Sequence, residues 1–156
     1  MKTTLLWVGK TTDRLLEPLI EDYIKRIGHY MPFEVKTIPA LKNAKNMSPD
    51  RQKQAEGEMI LSAVGQSAFV VLLDERGTER SSTEYARYIQ NQQSASRDLV
   101  FVIGGPFGFS PAVYKRANDK ISLSRMTFSH QMIRLLFTEQ LYRALTILHG
   151  EKYHHE

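Results

Sequence analysis

Two uninterrupted apolar runs, FVVLL at 69–73 and LVFVI at Leu99–Ile103, constrain this chain more than anything else in it. A strand with one face in water alternates apolar and polar residues; these do not alternate, so each belongs to a strand buried on both faces. Such strands need a covering layer on either side, and the intervening sequence supplies one. Asp13 caps a stretch in which Leu15, Leu16, Leu19, Ile20, Tyr23, Ile24 and Ile27 recur at helical offsets until Gly28. Ser48 followed by Pro49 opens a second helix running toward Val64, Ser82 to Gln92 reads as a polar helix, and Ser110 followed by Pro111 opens another. Ser129 caps a long amphipathic helix that reaches about Leu148, with Gly150 as its stop. Further strands are expected at Thr3–Val8, at Phe33–Ile38, which alternates, and briefly at 121–123, while 74–80 reads as a turn. Strands alternating with helices in this way give an α/β fold with a mostly parallel sheet covered on both faces.

The chain has 156 residues, enough to bury roughly two-thirds of the unfolded chain's surface without covalent staples. No linker or shift in composition divides it, so a single domain over 1–156 is expected. Cysteine is absent, which excludes disulfides, thiolate-held zinc and a cysteine nucleophile, and fits a reducing compartment such as the cytoplasm. No apolar stretch approaches a membrane span, and the apolar segment near the N-terminus is too short for a signal peptide. The histidines of the tail, His149, His154 and His155, with Glu151, lack the rigid spacing of a metal site, so no metal is expected. A formal charge of +4 permits a nucleic-acid partner without requiring one.

Chemistry points to the segment after the second apolar run. Gly104, Gly105, Pro106, Phe107 and Gly108 join a central strand to a helix, placing bare main chain at the carboxyl end of the sheet, where open α/β sheets bind ligands. The spacing is neither a dinucleotide fingerprint nor a Walker loop. His130 sits at the start of the last helix, as a general base or as a cap. Arg134 and Arg143 are nine positions apart and fall on opposite faces of that helix, so they have different roles; Glu139 precedes Arg143 at the spacing of an ion pair. Lys42, Lys45, Arg51 and Lys53 form either a solvated loop and helix start or a patch that tracks phosphates.

The sequence also resembles a known family. VIGGPFGFSP, then ISLSRMTFSHQMIR, then LYRALTILHGEKYHHE, together with WVGK, Tyr23, MPFEV, the NMS segment and LLDERG, are similar in order and interval to the RlmH family of ribosomal RNA methyltransferases over nearly the whole chain. The resemblance implies the SPOUT methyltransferase fold with a C-terminal trefoil knot, S-adenosylmethionine as methyl donor, and a homodimer with active sites at its interface. It further implies methylation of N3 of a pseudouridine in the helix 69 loop of 23S rRNA on assembled ribosomes. Carried over residue by residue, it assigns the donor to Leu73, Gly104 and Gly105, and to Leu123, Ser124, Arg125, Met126, Thr127 and Phe128. His130, Arg134, Arg143, Tyr153 and His154 are its candidates for the chemistry. The family's tail carries a basic residue where this chain has His155. Nitrogen methylation also suits a chain without cysteine, because an imide nitrogen attacks a sulfonium methyl directly once its proton is lost.

Overall fold

The fold is described from a computed structural model, which covers residues 2–155; Met1 and Glu156, the two ends of the expected domain, lie outside the described residues. Five strands, β1 (Thr3–Val8), β2 (Phe33–Ile38), β3 (Phe69–Glu79), β4 (Leu99–Ile103) and β5 (Asp119–Ser122), form one sheet in the order β2-β1-β4-β3-β5. Every neighbouring pair is parallel. The helices are α1 (Leu16–Gly28), α2 (Pro49–Ala63), α3 (Ser82–Ser94), α4 (Pro111–Arg116) and α5 (Met132–Leu148).

Alternation along β4 shows how the two apolar runs are used. Leu99, Phe101 and Ile103 face a core built with Ile20 and Ile27 of α1, Ile89 of α3, and Phe137 and Leu141 of α5. Val100 and Val102 face the other way, onto Ile60 of α2 and Val113 of α4. The sheet is thus sandwiched between a three-helix layer and a two-helix layer, which is why β4 and the 69–73 part of β3 carry no polar positions.

The expected caps are in place. Ser48 Oγ accepts from the amide of Arg51 and Ser110 Oγ from that of Val113, each with proline in the first turn. Ser129 Oγ accepts from the amide of Met132, so it caps α5 across the turn of His130 and Gln131. A reciprocal cap at α3, where Ser81 Oγ accepts from the Glu84 amide and Glu84 Oε1 from the Ser81 amide, fixes the start of the polar helix.

Two expectations are corrected. Residues 74–80 are not a turn: β3 continues to Glu79, with a register shift after Leu73 and renewed pairing of Thr78 with Ile121 and Glu79 with Ser122. The segment DERGTE has no apolar residue, so this part of the strand is held by main-chain pairing rather than burial, and hydrophobic periodicity cannot reveal it. At its centre lies Gly77, whose missing Cβ would fall 2.6 Å from the carbonyl carbon of Ile121. The brief strand at 121–123 is displaced as well: β5 starts at Asp119, which pairs with Val71 and accepts a hydrogen bond from Tyr88 Oη, and Leu123 lies beyond its end.

Candidate functional site

Leu73, the last residue of β3 before its register shift, pairs with Ile103 at the end of β4 and with Ile121 of β5, and the 74–76 segment of β3 together with the loops leaving β4 and β5 encloses a cavity of about 470 Å³. Leu73, Gly104, Gly105, Leu123, Ser124, Met126, Thr127 and Phe128, all singled out in the sequence, line it. Arg125 does not: its side chain is 85% exposed and pairs with Glu79 at 3.4 Å.

Each wall has an identifiable support. In the glycine loop the Gly108 amide donates to the Gly105 carbonyl, and Gly108 adopts φ +82°, a conformation that favours glycine. Gly104 faces Phe109, whose buried ring would lie 2.9 Å from a Cβ there. The 123–128 loop is closed by Ser122 Oγ donating to the Ser124 carbonyl, and Thr127 Oγ1 donates to Glu75 Oε2 at 2.6 Å. Tyr114 of α4 donates its hydroxyl to Asp74; burial, followed by that hydrogen bond, pushes the Tyr114 phenol up to about 12. Asp74, Glu75, Arg76, Tyr114 and Lys53 therefore belong to the site. Sequence reasoning missed the first three because it read their segment as a turn. Lys53 it placed only on a basic patch.

Gly104→Val is the direct test of the glycine loop. The added methyls overfill the contact with Phe109, a cost of about 1–3 kcal/mol, and most of it falls on loop geometry, so ligand affinity should drop roughly tenfold or more. Titration calorimetry with S-adenosylmethionine, alongside a melting curve, measures both consequences.

His130 lines the cavity at its α5 end. Burial, followed by the charge of Arg134, lowers the imidazole pKa from its ordinary value, which favours the neutral ring. Arg134 itself is 1% exposed. Its Nη2 donates to the Val8 carbonyl at 2.9 Å, its Nη1 to Thr11 Oγ1 at 3.0 Å and its Nε to the His130 carbonyl at 3.1 Å, while the guanidinium lies 4.5 Å from the centre of a Trp7 ring. It reaches the site through the main chain of His130.

Arg143, Tyr153 and His154 form a separate cluster. Glu139 Oε1 accepts from Arg143 Nη2 at 2.6 Å and Nε at 3.0 Å, and from Tyr153 Oη at 3.1 Å. Because a guanidinium only donates, His154 Nδ1 accepts from Arg143 Nη1 at 3.1 Å. Burial, and then the hydrogen bonds to Tyr23 and Glu139, push the Tyr153 phenol far up, so it acts as a donor and not as a base. This cluster is built on Glu139 and Arg143, in the middle and C-terminal half of α5, and does not line the cavity, whereas His130 precedes the helix and does. Within one chain the two groups of candidates do not meet.

Several apolar side chains are exposed, Leu15 at 82%, Met126 at 76% and Leu19 at 50%, and of these Met126 lines the cavity. Gln131 ties the start of α5 to that of α1 by accepting from the Thr12 amide. Lys42 and Lys45 are on the polar segment before α2. Among the described residues, no cluster of three or more histidine or acidic side chains is arranged to hold a metal ion.

Comparison with known proteins shows the family. A family described as "Predicted SPOUT methyltransferase" matches residues 1–154. A protein of Christiangramia forsetii is 56% identical over 156 residues, covering 99% of each chain. Proteins of Bacteroides thetaiotaomicron and Porphyromonas gingivalis are 54% and 55% identical over 157 residues, covering 100% of each chain. All three relatives are called ribosomal RNA large subunit methyltransferase H. Matched by that family over residues 1–154 and by these relatives along its whole length, the chain belongs to the SPOUT methyltransferases and, among them, to the ribosomal RNA large subunit methyltransferase H family.

Proposed function

We propose that this chain transfers a methyl group from S-adenosylmethionine to N3 of a pseudouridine in the helix 69 loop of 23S rRNA, acting as a cytoplasmic homodimer on assembled ribosomes. The observation that carries the reading is the cavity between the middle of β3 and the loops leaving β4 and β5, in which eight of the nine residues that the resemblance assigns to the donor converge. Its composition suits that molecule. Leu73, Leu123, Met126 and Phe128 offer apolar surface to an adenine, and bare main chain at Gly104 and Gly105 admits a close approach. Asp74 and Glu75 put carboxylates beside a ligand that carries a sulfonium and an ammonium. The names of the relatives direct the activity to large-subunit RNA, and the chain's net charge of +4 favours a polyanion.

S-adenosylmethionine supplies an electrophilic methyl on sulfur, with the neutral thioether as leaving group. The protein's task is to help remove the N3 proton and to hold the nitrogen in line. If the imide pKa lies about two units above neutrality, deprotonation costs about 2.7 kcal/mol, within reach of one base or one cation. Of the candidates singled out in the sequence, His130, whose neutral form burial favours, is the base at the cavity, and Arg143, farther along α5, is the cation.

That separation favours a dimer. Two copies of α5 crossing head to tail about a two-fold axis bring the Arg143, Tyr153 and His154 cluster of one subunit to the His130 end of the other. Mixing subunits tests this. At donor concentrations too low to fill the weakened site, Gly104→Val homodimers are nearly inactive and Arg143→Ala homodimers lack the cation, yet exchanged heterodimers regain one intact site each, which restores about a quarter of wild-type activity. Absence of recovery after verified exchange places both groups in one subunit's site. We also read the close passage of Gly77 over Ile121, with Thr127 bonded back to Glu75, as part of a trefoil knot.

The test of the activity is transfer of labelled methyl from S-adenosylmethionine to intact ribosomes from a strain lacking this protein, followed by mass spectrometry of the labelled nucleotide. Label in 3-methylpseudouridine is the expected result. Label in another nucleotide overturns the substrate assignment, and no label on ribosomes while the donor is bound overturns the proposed transfer.

A further inference from the structure

Behind the glycine loop, on the side away from the cavity, α2 presents a carboxyl group whose environment is unusual. Glu56 is 4% exposed. Its Oε2 accepts from Gln52 Nε2 at 3.2 Å, while Oε1 is buried with no hydrogen-bond partner. What Oε1 faces is Gly105: a Cβ built on that glycine would lie 2.5 Å from it. The next residue makes the same kind of approach, for a Cβ on Gly57 would lie 2.4 Å from Oγ of Ser110, the residue that caps α4 at the far end of the loop. Glu56 and Gly57 thus seat α2 against both ends of the glycine loop.

A carboxylate buried without a cation is costly, and burial accordingly raises the Glu56 pKa from its ordinary value. The uncharged acid has one hydroxyl. Since Oε2 is the acceptor for Gln52, the hydroxyl belongs on Oε1, the oxygen turned to the loop. A leucine or methionine would fill this volume without leaving a polar atom buried and unpaired, so the oxygen is a liability unless the loop uses it.

We propose that Glu56 is a positioning residue for the methyl donor: its Oε1 hydroxyl donates to the main chain of the 104–108 loop and holds that loop at the width the donor requires. Glu56 does not line the cavity and acts through Gly105. The proposal rests on the reading of the cavity as the donor site.

Calorimetric titration of the full-length chain with S-adenosylmethionine, paired with melting curves, provides the test. Glu56→Ala is expected to weaken donor binding about tenfold, and Glu56→Gln, whose amide donates from nearly the same place, to rescue it to within about twofold of wild type. Gly105→Ala pushes the loop off the same contact from the other side and should weaken binding too. Glu56→Ala vacates the room that this methyl needs, so the double variant should bind better than Gly105→Ala alone. Wild-type affinity in a folded Glu56→Ala variant overturns the proposal, as does Glu56→Gln binding as weakly as Glu56→Ala. If Glu56→Ala does not fold, the Gln variant decides: loss of affinity with an unchanged melting temperature overturns it, and retained affinity beside a weakened Gly105→Ala supports it. Failure of the folded wild type to bind S-adenosylmethionine is a different result, which removes the donor reading and the proposal with it.

Discussion

Gly77→Ala is expected to destabilise the protein by about 3 kcal/mol and to lower its melting temperature by roughly 10 °C. The reason is what the new methyl meets. Its neighbours at 2.6–2.7 Å are the main-chain nitrogen and carbonyl carbon of Ile121 and the carbonyl carbon of Lys120, and none of these can rotate aside as a side chain would. Relief requires β3 and β5 to part where their register shifts, and that seam carries Leu73, Ile121 and Leu123 into the cavity. Donor binding should therefore fail together with stability. Gly28→Ala is the matched control: a Cβ there meets nothing within 4 Å and the residue ends α1, so the same chemical change should be neutral or stabilising by up to about 1 kcal/mol. Equal melting temperatures for the two variants would contradict the close-passage argument.

Arg134→Met should cost about 3–5 kcal/mol, again a melting shift on the order of 10 °C or more. A buried cation can be expensive, and an apolar replacement of similar length sometimes stabilises. Here the opposing term wins, because Arg134 donates to the Val8 carbonyl, Thr11 Oγ1 and the His130 carbonyl, and methionine has nothing to offer any of them. Buried acceptors left unpaired cost about 1–3 kcal/mol each, and contact of the charge with the Trp7 ring is lost as well. Burial pulls the guanidinium pKa down to about 10, which still leaves it charged at neutral pH, so lysine supplies the charge without the fork. Arg134→Lys is accordingly expected to recover only part of the loss, as measured by chemical denaturation.

These two residues mark the boundary of what the sequence reveals. The runs 69–73 and 99–103 were legible as doubly buried strands because burial on both faces leaves no polar position in either. Ser48 with Pro49 and Ser110 with Pro111 were legible because helix starts are satisfied locally. Residues 74–79 were not, since a polar strand held by pairing with β5 has no pattern of its own. Nor was the burial of Arg134: its acceptors at Val8 and Thr11 are more than 120 positions away, and an arginine in an amphipathic helix ordinarily faces water. At the site, the glycine loop announced itself by composition and the 123–128 segment by family resemblance, whereas Lys53, Asp74 and Glu56 became visible only when distant elements were brought together.

The strand order also governs when a nascent chain can acquire the site. β4, the central strand, pairs with β1 and β3, so the middle of the sheet stays open until residue 103 has been synthesised; β5 and the 123–128 loop come later still, and α5 closes the layer last. The β1–β4 contact, which pairs Thr3 with Leu99, and the β3–β5 contact, which pairs Val71 with Asp119, join distant parts of the chain, which makes folding slow relative to a helical protein of the same length. A ribosome that stalls before the last third of the message therefore releases a fragment without a cavity, and such fragments, with the edges of β1 and β3 unpaired, are material for proteolysis rather than partly active enzyme.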